Sequence, residues 1–466
     1  MSGHTGAKFL IDLADMMISV PARALALLAL AVSAGPASAS LAAPEQSSGK
    51  TPLSYQILRQ DVIINADIWA RKPEMMAAGL GFTSIVGVPN LSTSDVALSK
   101  TLTVLAGGTW NNVHCASGQT PPLSSYTSAS TPSGVRSYYG EDVYYSDGLP
   151  VEFSWPILPS TLDADDFKVR LSNGTSVTPQ VTSIWPNFEY NERSVAVLFG
   201  HFGNRLPPDR RGAIYPTSVR VVHGSSALEL VGPGRRIVSA VGFSVKTPGS
   251  PYTDPDVRPA RRGGPTLVAA KLSKMSAVGN TGPRIFRQNL PNDGISLYGS
   301  QARFRLRMYT SGGMTPNGVT PLLPTDYDQY FRVIAVTSSG RKVALTRAGK
   351  TYYIDGKPLR VVGLANLGRK QASYDACYTE VRNNYIDIVL DGSEAAARRI
   401  TTVEIPSTGR YKPLYNPGGP GNDPAPGVRY SAPSPPISEH VIIALNNPMT
   451  VTYVRSPRAS RAPATG

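Results

Sequence analysis

Short segments in which apolar and polar residues alternate with a period of two, each closed by a turn rich in glycine, asparagine or proline, constrain this chain more than any other feature. Val151-Glu152-Phe153-Ser154-Trp155 and Phe167-Lys168-Val169-Arg170-Leu171 alternate in this way. Ser172-Asn173-Gly174-Thr175 after the second is a strong hairpin signal, because Asn-Gly accepts the positive φ angles that a tight turn between twisted strands requires. Residues 194–199 and 218–222 follow at similar intervals, residues 302–308 alternate strictly, residues 350–362 read as a hairpin about Asp355-Gly356, and residues 385–390 precede Asp391-Gly392. Tyr 22 against Phe 11 and Trp 4, with abundant Val, Thr and Ser, points the same way, since such side chains suit a pleated, half-buried surface. The expected fold class is mainly β and multidomain with little helix: a β-sandwich over residues 148–246 and further β structure over 266–454.

The run Pro159-Ser160-Thr161-Leu162-Asp163-Ala164-Asp165-Asp166-Phe167-Lys168-Val169-Arg170-Leu171-Ser172-Asn173-Gly174 resembles the opening of bacterial immunoglobulin-like domains, in which an acidic loop leads into an alternating strand and an Asn/Asp-Gly turn. The resemblance, carried by residues 148–222, implies an immunoglobulin-like β-sandwich, a module common in secreted and surface proteins. Fold alone does not fix function.

Near the N-terminus, Arg23 precedes the nine apolar residues 24–32, and Ala37-Ser38-Ala39 supplies a small-x-small cleavage site, so residues 1–39 read as a signal peptide. The run is far short of the roughly 20 residues that span a bilayer, which leaves no transmembrane anchor after cleavage and a secreted or periplasmic product. A start at Met17 rather than Met1 would give a more conventional basic leader. Residues 40–53 read as a flexible mature N-terminus and 54–147 as a mixed region. Within it the sequence predicts an extended segment over 55–64, a helix over 95–105 capped by Ser92, Thr93 or Ser94 with a strand over 102–105 as the competitor, and a loop over 117–137. Residues 247–265 read as a proline-stiffened linker or long loop, residues 406–436 carry nine prolines, residues 440–445 and 450–453 flank Asn446-Asn447-Pro448 as a terminal hairpin, and residues 455–466 form a disordered basic tail.

Two cysteines cannot make a disulfide framework, but in an oxidising compartment Cys115 and Cys377 could close one long loop, with free, partly buried thiols as the alternative. The net charge of +14, most of its cations arginine, suits an anionic partner such as a polyanion or polysaccharide, although a basic composition also speaks only to solubility.

Alternation places Arg303, Arg305 and Arg307 on one face of a strand with Phe304 and Leu306 on the other: a row that could track a polyanion, or charge that guards an edge strand. Asp163, Asp165 and Asp166 could share a hard cation such as calcium, or simply turn the chain into its strand; no other cofactor is expected. Glu189, Tyr190 and Glu192 have the composition of a sugar-binding lip and supply a carboxylate pair of the kind glycoside hydrolysis uses, the alternative being a loop with Glu192 and Arg193 solvated. His114, His201, His223 and His440 are never at i, i+4 or bracketed by cysteine pairs, no G-x-S-x-G is present, and His114 beside Cys115 on a strand would point to the opposite face, so zinc, serine-hydrolase and thiol-protease signatures are missing. The first functional expectation is therefore a secreted or periplasmic, non-catalytic binding or surface protein for an anionic or carbohydrate ligand. The second is a secreted carbohydrate-active or other hydrolase using loop carboxylates, and the third a structural envelope component. No specific nucleic acid is expected as a partner.

Overall fold

The structure of the protein is a computed structural model that describes residues 50–116, 118, 120–252, 257–286 and 294–455. The expected leader, residues 40–49 of the expected flexible N-terminus, and the tail from 456 onward lie outside the described residues.

The 55–64 segment is not one extended run. It divides into helix α1 (Leu53–Leu58) and strand β1 (Val62–Ile64), because Leu58 and Ile63 drop into different apolar clusters while Asp61 between them turns inward to accept Ser160 N–H at 2.9 Å and Ser160 Oγ at 2.6 Å. Strands β2 (Met75–Ala78) and β3 (Phe82–Val86) follow. Helix α2 (Val96–Leu105) forms with Asp95 as its cap, accepting Leu98 N–H at 2.9 Å, so the competing strand does not form and the cap lies one residue beyond the serines expected for it. The expected loop over 117–137 holds two short helices instead, α3 (Leu123–Tyr126) and α4 (Pro132–Tyr139). Thr131 caps α4, Pro132 begins it with a pre-set φ, and Gly140 ends it at φ 91°, so the residues that suggested a loop are the helix's own start and stop.

Next come β4 (Ser146–Phe153), β5 (Phe167–Leu171), β6 (Ser176–Val177), β7 (Val181–Ser183), β8 (Val195–Gly200) and β9 (Pro216–Val221). A ribbon of β10 (Glu229–Gly232) and β11 (Arg236–Ser239) and strand β12 (Ser244–Lys246) complete this half. Two sheets face each other as a sandwich: β2-β4-β8-β7 with β3 also on β4, and β12-β9-β5-β6. Leu149, Val151, Phe153 and Leu198 of the first meet Phe167, Val169, Val219 and Val221 of the second, all fully buried. The sandwich thus draws β2 and β3 from N-terminal to residue 148.

Strands β13 (Leu267–Lys274), β14 (Phe304–Thr310), β15 (Arg332–Val336), β16 (Lys342–Leu345), β17 (Thr351–Ile354), β18 (Lys357–Ala365), β19 (Tyr385–Gly392), β20 (Ile400–Ile405) and β21 (Ile437–Ile443) build a nearly closed, barrel-like sheet in the order β16-β15-β20-β21-β13-β14-β19-β18-β17. The β17–β18 turn is the expected one, with Asp355 and Gly356 at φ 50° and 73°. Leu272, Leu306, Met308, Val333, Ile388 and Val403 fill the interior. The expected terminal hairpin does not form: β21 pairs with β20 and β13, whereas β22 (Val451–Val454) crosses over to pair with β1. Asn65 fixes that crossing by donating to Pro448 O and accepting Thr450 N–H, both at 3.0 Å. The protein is therefore mainly β, with several sheets, and among the described residues no helix is long and apolar enough to cross a membrane.

Candidate functional site

Strand register arranges the outward face of β13, β14 and β19 as a grid. Lys271, Arg307 and Asp387 are neighbours across the three strands, with Ala269, Tyr309 and Tyr385 one row away and Ser273, Arg305 and Val389 on the other side. Alternation does send Phe304 and Leu306 inward and the arginines to the opposite face. That face, however, packs against the sandwich. Arg305 is fully buried and Arg307 is 3% exposed, so the three do not form an outward row; Arg303 alone is exposed, donating to Gly392 O at 2.6 Å. A strand in the middle of a nine-stranded sheet also has no edge to guard.

Asp387 neutralises the buried pair. Arg307 binds it with two parallel hydrogen bonds of 2.8 and 2.9 Å, and Arg305 Nε lies 3.1 Å from its second oxygen. The Glu189-to-Arg193 segment closes over the same charges rather than lying in solvent: Glu189 is 2% exposed, and Glu192 and Arg193 are fully buried. Glu192 meets Arg307 at 3.5 Å and accepts from Asn366 at 2.6 Å and Asn383 at 3.1 Å. Tyr190 is partly buried and carries the Arg193 guanidinium 5.3 Å from its ring centre. The structure therefore brings two of the sequence candidates together, as a desolvated charge network that joins sandwich to barrel. Burial, reinforced by the neighbouring Glu192 charge, pushes Glu189 well above the usual carboxylate range. Glu152, which faces the same layer and accepts Asn384 Nδ2 at 3.0 Å, is likewise raised by burial. Glu189 and Glu192 are buried, and neither lines the open cleft of this structure.

The acidic loop is also committed internally. Asp163 pairs with Arg59 at 3.1 Å, Asp165 accepts Ser225 N–H at 2.7 Å, and Asp166 reaches back to Asp163 N–H at 2.7 Å in a reciprocal capping arrangement. Among the described residues no three His, Cys, Asp or Glu side chains converge as a metal site. Cys115 and Cys377 form a disulfide across a sequence separation of 262. Asp375 supports it by accepting the N–H groups of Ala116 and Cys377, both at 2.8 Å.

What lies open is a cleft of about 940 Å³ beside the charge network. Its walls come from the 3-10 turn after β1, the turn between β10 and β11, β13, and the segment between β21 and β22. Lys271 of β13 reaches its floor and donates to Ile68 O at 2.8 Å and to Ala66 O, with the ammonium 4.5 Å from the ring centre of Trp69. Burial lowers the Lys271 ammonium from the usual lysine range, against the pull of Asp67. Trp69 in turn stacks on Tyr309 at 4.8 Å, and Tyr309 on Tyr385 at 5.0 Å, which locks the floor to the barrel. Arg71 and Arg235 stand exposed at the mouth, and Ile442 and Val451 are 41% and 49% exposed at the rim. Among the described residues neither arginine forms an ion pair, and no aspartate or glutamate lines the cleft. Such a lining offers cations to an acidic group and an aliphatic wall to whatever carries it.

Sequence reasoning missed Lys271, Trp69 and the two mouth arginines, which are scattered along the chain. One signal was visible: Asp387 in the middle of the apolar run Tyr385-Ile386-Asp387-Ile388-Val389 is a carboxylate that a buried strand keeps only with a cationic partner. No family model, curated protein or solved structure matches this chain.

Proposed function

We propose that this chain is an exported, non-catalytic binding protein whose cleft takes an anionic ligand with an apolar body. The leader sequence supports export. The observation that carries the binding reading is the lining of the cleft, which sets Arg71, Arg235 and Lys271 against aliphatic side chains and, among the described residues, includes no carboxylate. An acid entering there meets the two mouth guanidinium groups first, while its apolar part covers Ile442 and Val451. Titration calorimetry with laurate and with the uncharged dodecanol tests this. Laurate binds more tightly, and the double substitution Arg71→Ala with Arg235→Ala weakens it about tenfold. Equal affinity for dodecanol, or an unchanged laurate affinity in the double variant, overturns the reading. Export is checked by the mass of protein recovered outside the cytosol, which should begin near residue 40.

A further inference from the structure

The outer face of the β12-β9-β5-β6 sheet carries the row of exposed cations that β14 does not. On β5, Phe167, Val169 and Leu171 point into the sandwich and Lys168 and Arg170 point out; on β9, Val219 and Val221 are buried and Arg220 is exposed; on β12, Lys246 is exposed. Register places Lys168 opposite Arg220, Arg220 opposite Ser244, Arg170 opposite Ser218, and Ser218 opposite Lys246. Strands lie about 4.8 Å apart and alternate residues about 7 Å apart along a strand, so four positive groups share a patch on the order of 10 Å across. None of the four forms an ion pair among the described residues, and Lys168 Nζ donates to Thr178 Oγ1 at 2.5 Å.

Like charges directly opposite across a strand pair are destabilising, and edge protection accounts for charge only on the outer strands β12 and β6. Lys168, Arg170 and Arg220 stand on the two inner strands. We propose that this face is a binding surface for an acidic polysaccharide, a chain bearing carboxylate or sulfate groups at intervals along its length. Charge complementarity selects a polyanion, and arginine suits planar oxyanions. The hydroxyls of Ser218, Ser244 and Thr178 among the cations match sugar hydroxyls, while the outward positions of these strands carry no aromatic ring on which a nucleobase could stack. The surface is separate from the cleft, none of whose lining residues belongs to β5, β9 or β12.

The experiment uses the full mature chain and fluorescent dextran sulfate, with neutral dextran and duplex DNA of matched charge as competitors. Dextran sulfate binds with an affinity that falls as sodium chloride rises. The combined substitution Lys168→Ser, Arg170→Ser, Arg220→Ser and Lys246→Ser weakens binding about tenfold, since each exposed contact contributes little alone. The charge-retaining set Lys168→Arg, Arg170→Lys, Arg220→Lys and Lys246→Arg stays within about threefold of the native chain. The serine variant binds laurate as the native chain does, because none of its four positions lines the cleft, which separates this surface from it. Native-like binding by the serine variant, indifference to salt, equal binding of neutral dextran, or tighter binding of duplex DNA each overturns the proposal; should the serine variant not fold, the salt response and the competitors decide on the native chain.

Discussion

Two strands of this protein, β5 and β14, carry the same pattern, apolar residues alternating with cations, yet the cations end in opposite surroundings. On β5 Lys168 and Arg170 stand in water, whereas on β14 Arg305 and Arg307 lie between two layers of sheet, bound to Asp387 and Glu192. A period of two reports that residues divide between faces; it does not report whether the second face meets solvent or another sheet. The deciding information is held elsewhere in the chain, in whether carboxylates at remote positions arrive to neutralise the row.

The largest effect expected from that difference is at Asp387. Replacing it by alanine leaves Arg305 and Arg307 desolvated without their shared counter-ion, and breaking one side of a buried pair costs about 3–5 kcal/mol. Urea unfolding should show a loss of that size for Asp387→Ala and about 0.5 kcal/mol or less for Arg170→Ala. Equal losses at the two sites would erase the contrast. The disulfide lies apart from the exposed row: reducing Cys115–Cys377 should lower stability by about 2–4 kcal/mol while dextran sulfate binding by the folded chain persists, because neither cysteine belongs to β5, β9 or β12.

These outcomes bear on what the residues alone could disclose. The sandwich strands, the Asn173-Gly174 and Asp355-Gly356 turns and the mainly β class were legible because they rest on local alternation and on φ preferences of one or two residues. Helix α4 was hidden by Thr131, Pro132 and Gly140, which occur in loops and at helix ends alike. The destination of β22 was not legible, since its pairing with β1 joins residues at the two ends of the described chain and depends on Asn65 meeting the 448–450 turn. The cleft was less legible still: Trp69, Arg71, Arg235 and Lys271 carry no shared spacing, and only the packing of three sheet systems places them around one space. The charge network lay between these cases. Its arginines and its glutamates could be picked out separately, but nothing local said that they face each other.

A smaller effect comes from Glu152, on the sandwich side of the same buried layer. Burial raises its carboxyl well above the range in which the unfolded chain releases that proton. The folded state therefore binds more protons than the unfolded state from the ordinary carboxylate value upward, and stability falls as pH rises through that window. Urea midpoints measured from pH 5 to pH 8 should decline in the native chain and decline less steeply in Glu152→Gln, the two curves diverging as pH rises. A native slope in the Glu152→Gln variant would mean that Glu152 stays ionised and that the layer tolerates an unpaired charge.

The smallest effect has a sign that discriminates. Arg220 stands directly opposite Lys168 with Val219 and Val221 beneath the sheet, so threonine there removes a like-charge pair and suits a strand at least as well. Arg220→Thr should leave the protein unchanged or more stable by about 0.2–0.5 kcal/mol, read from urea midpoints at low salt, with the gain vanishing as salt screens the pair. The same substitution should weaken dextran sulfate binding about two- to threefold. A residue whose loss stabilises the fold while weakening attachment is held in place by the surface it presents rather than by the sheet it belongs to. If Arg220→Thr destabilises the sandwich instead, the cations on β5 and β9 serve their own sheet, and the exposed row differs from the buried one only in having water for its partner.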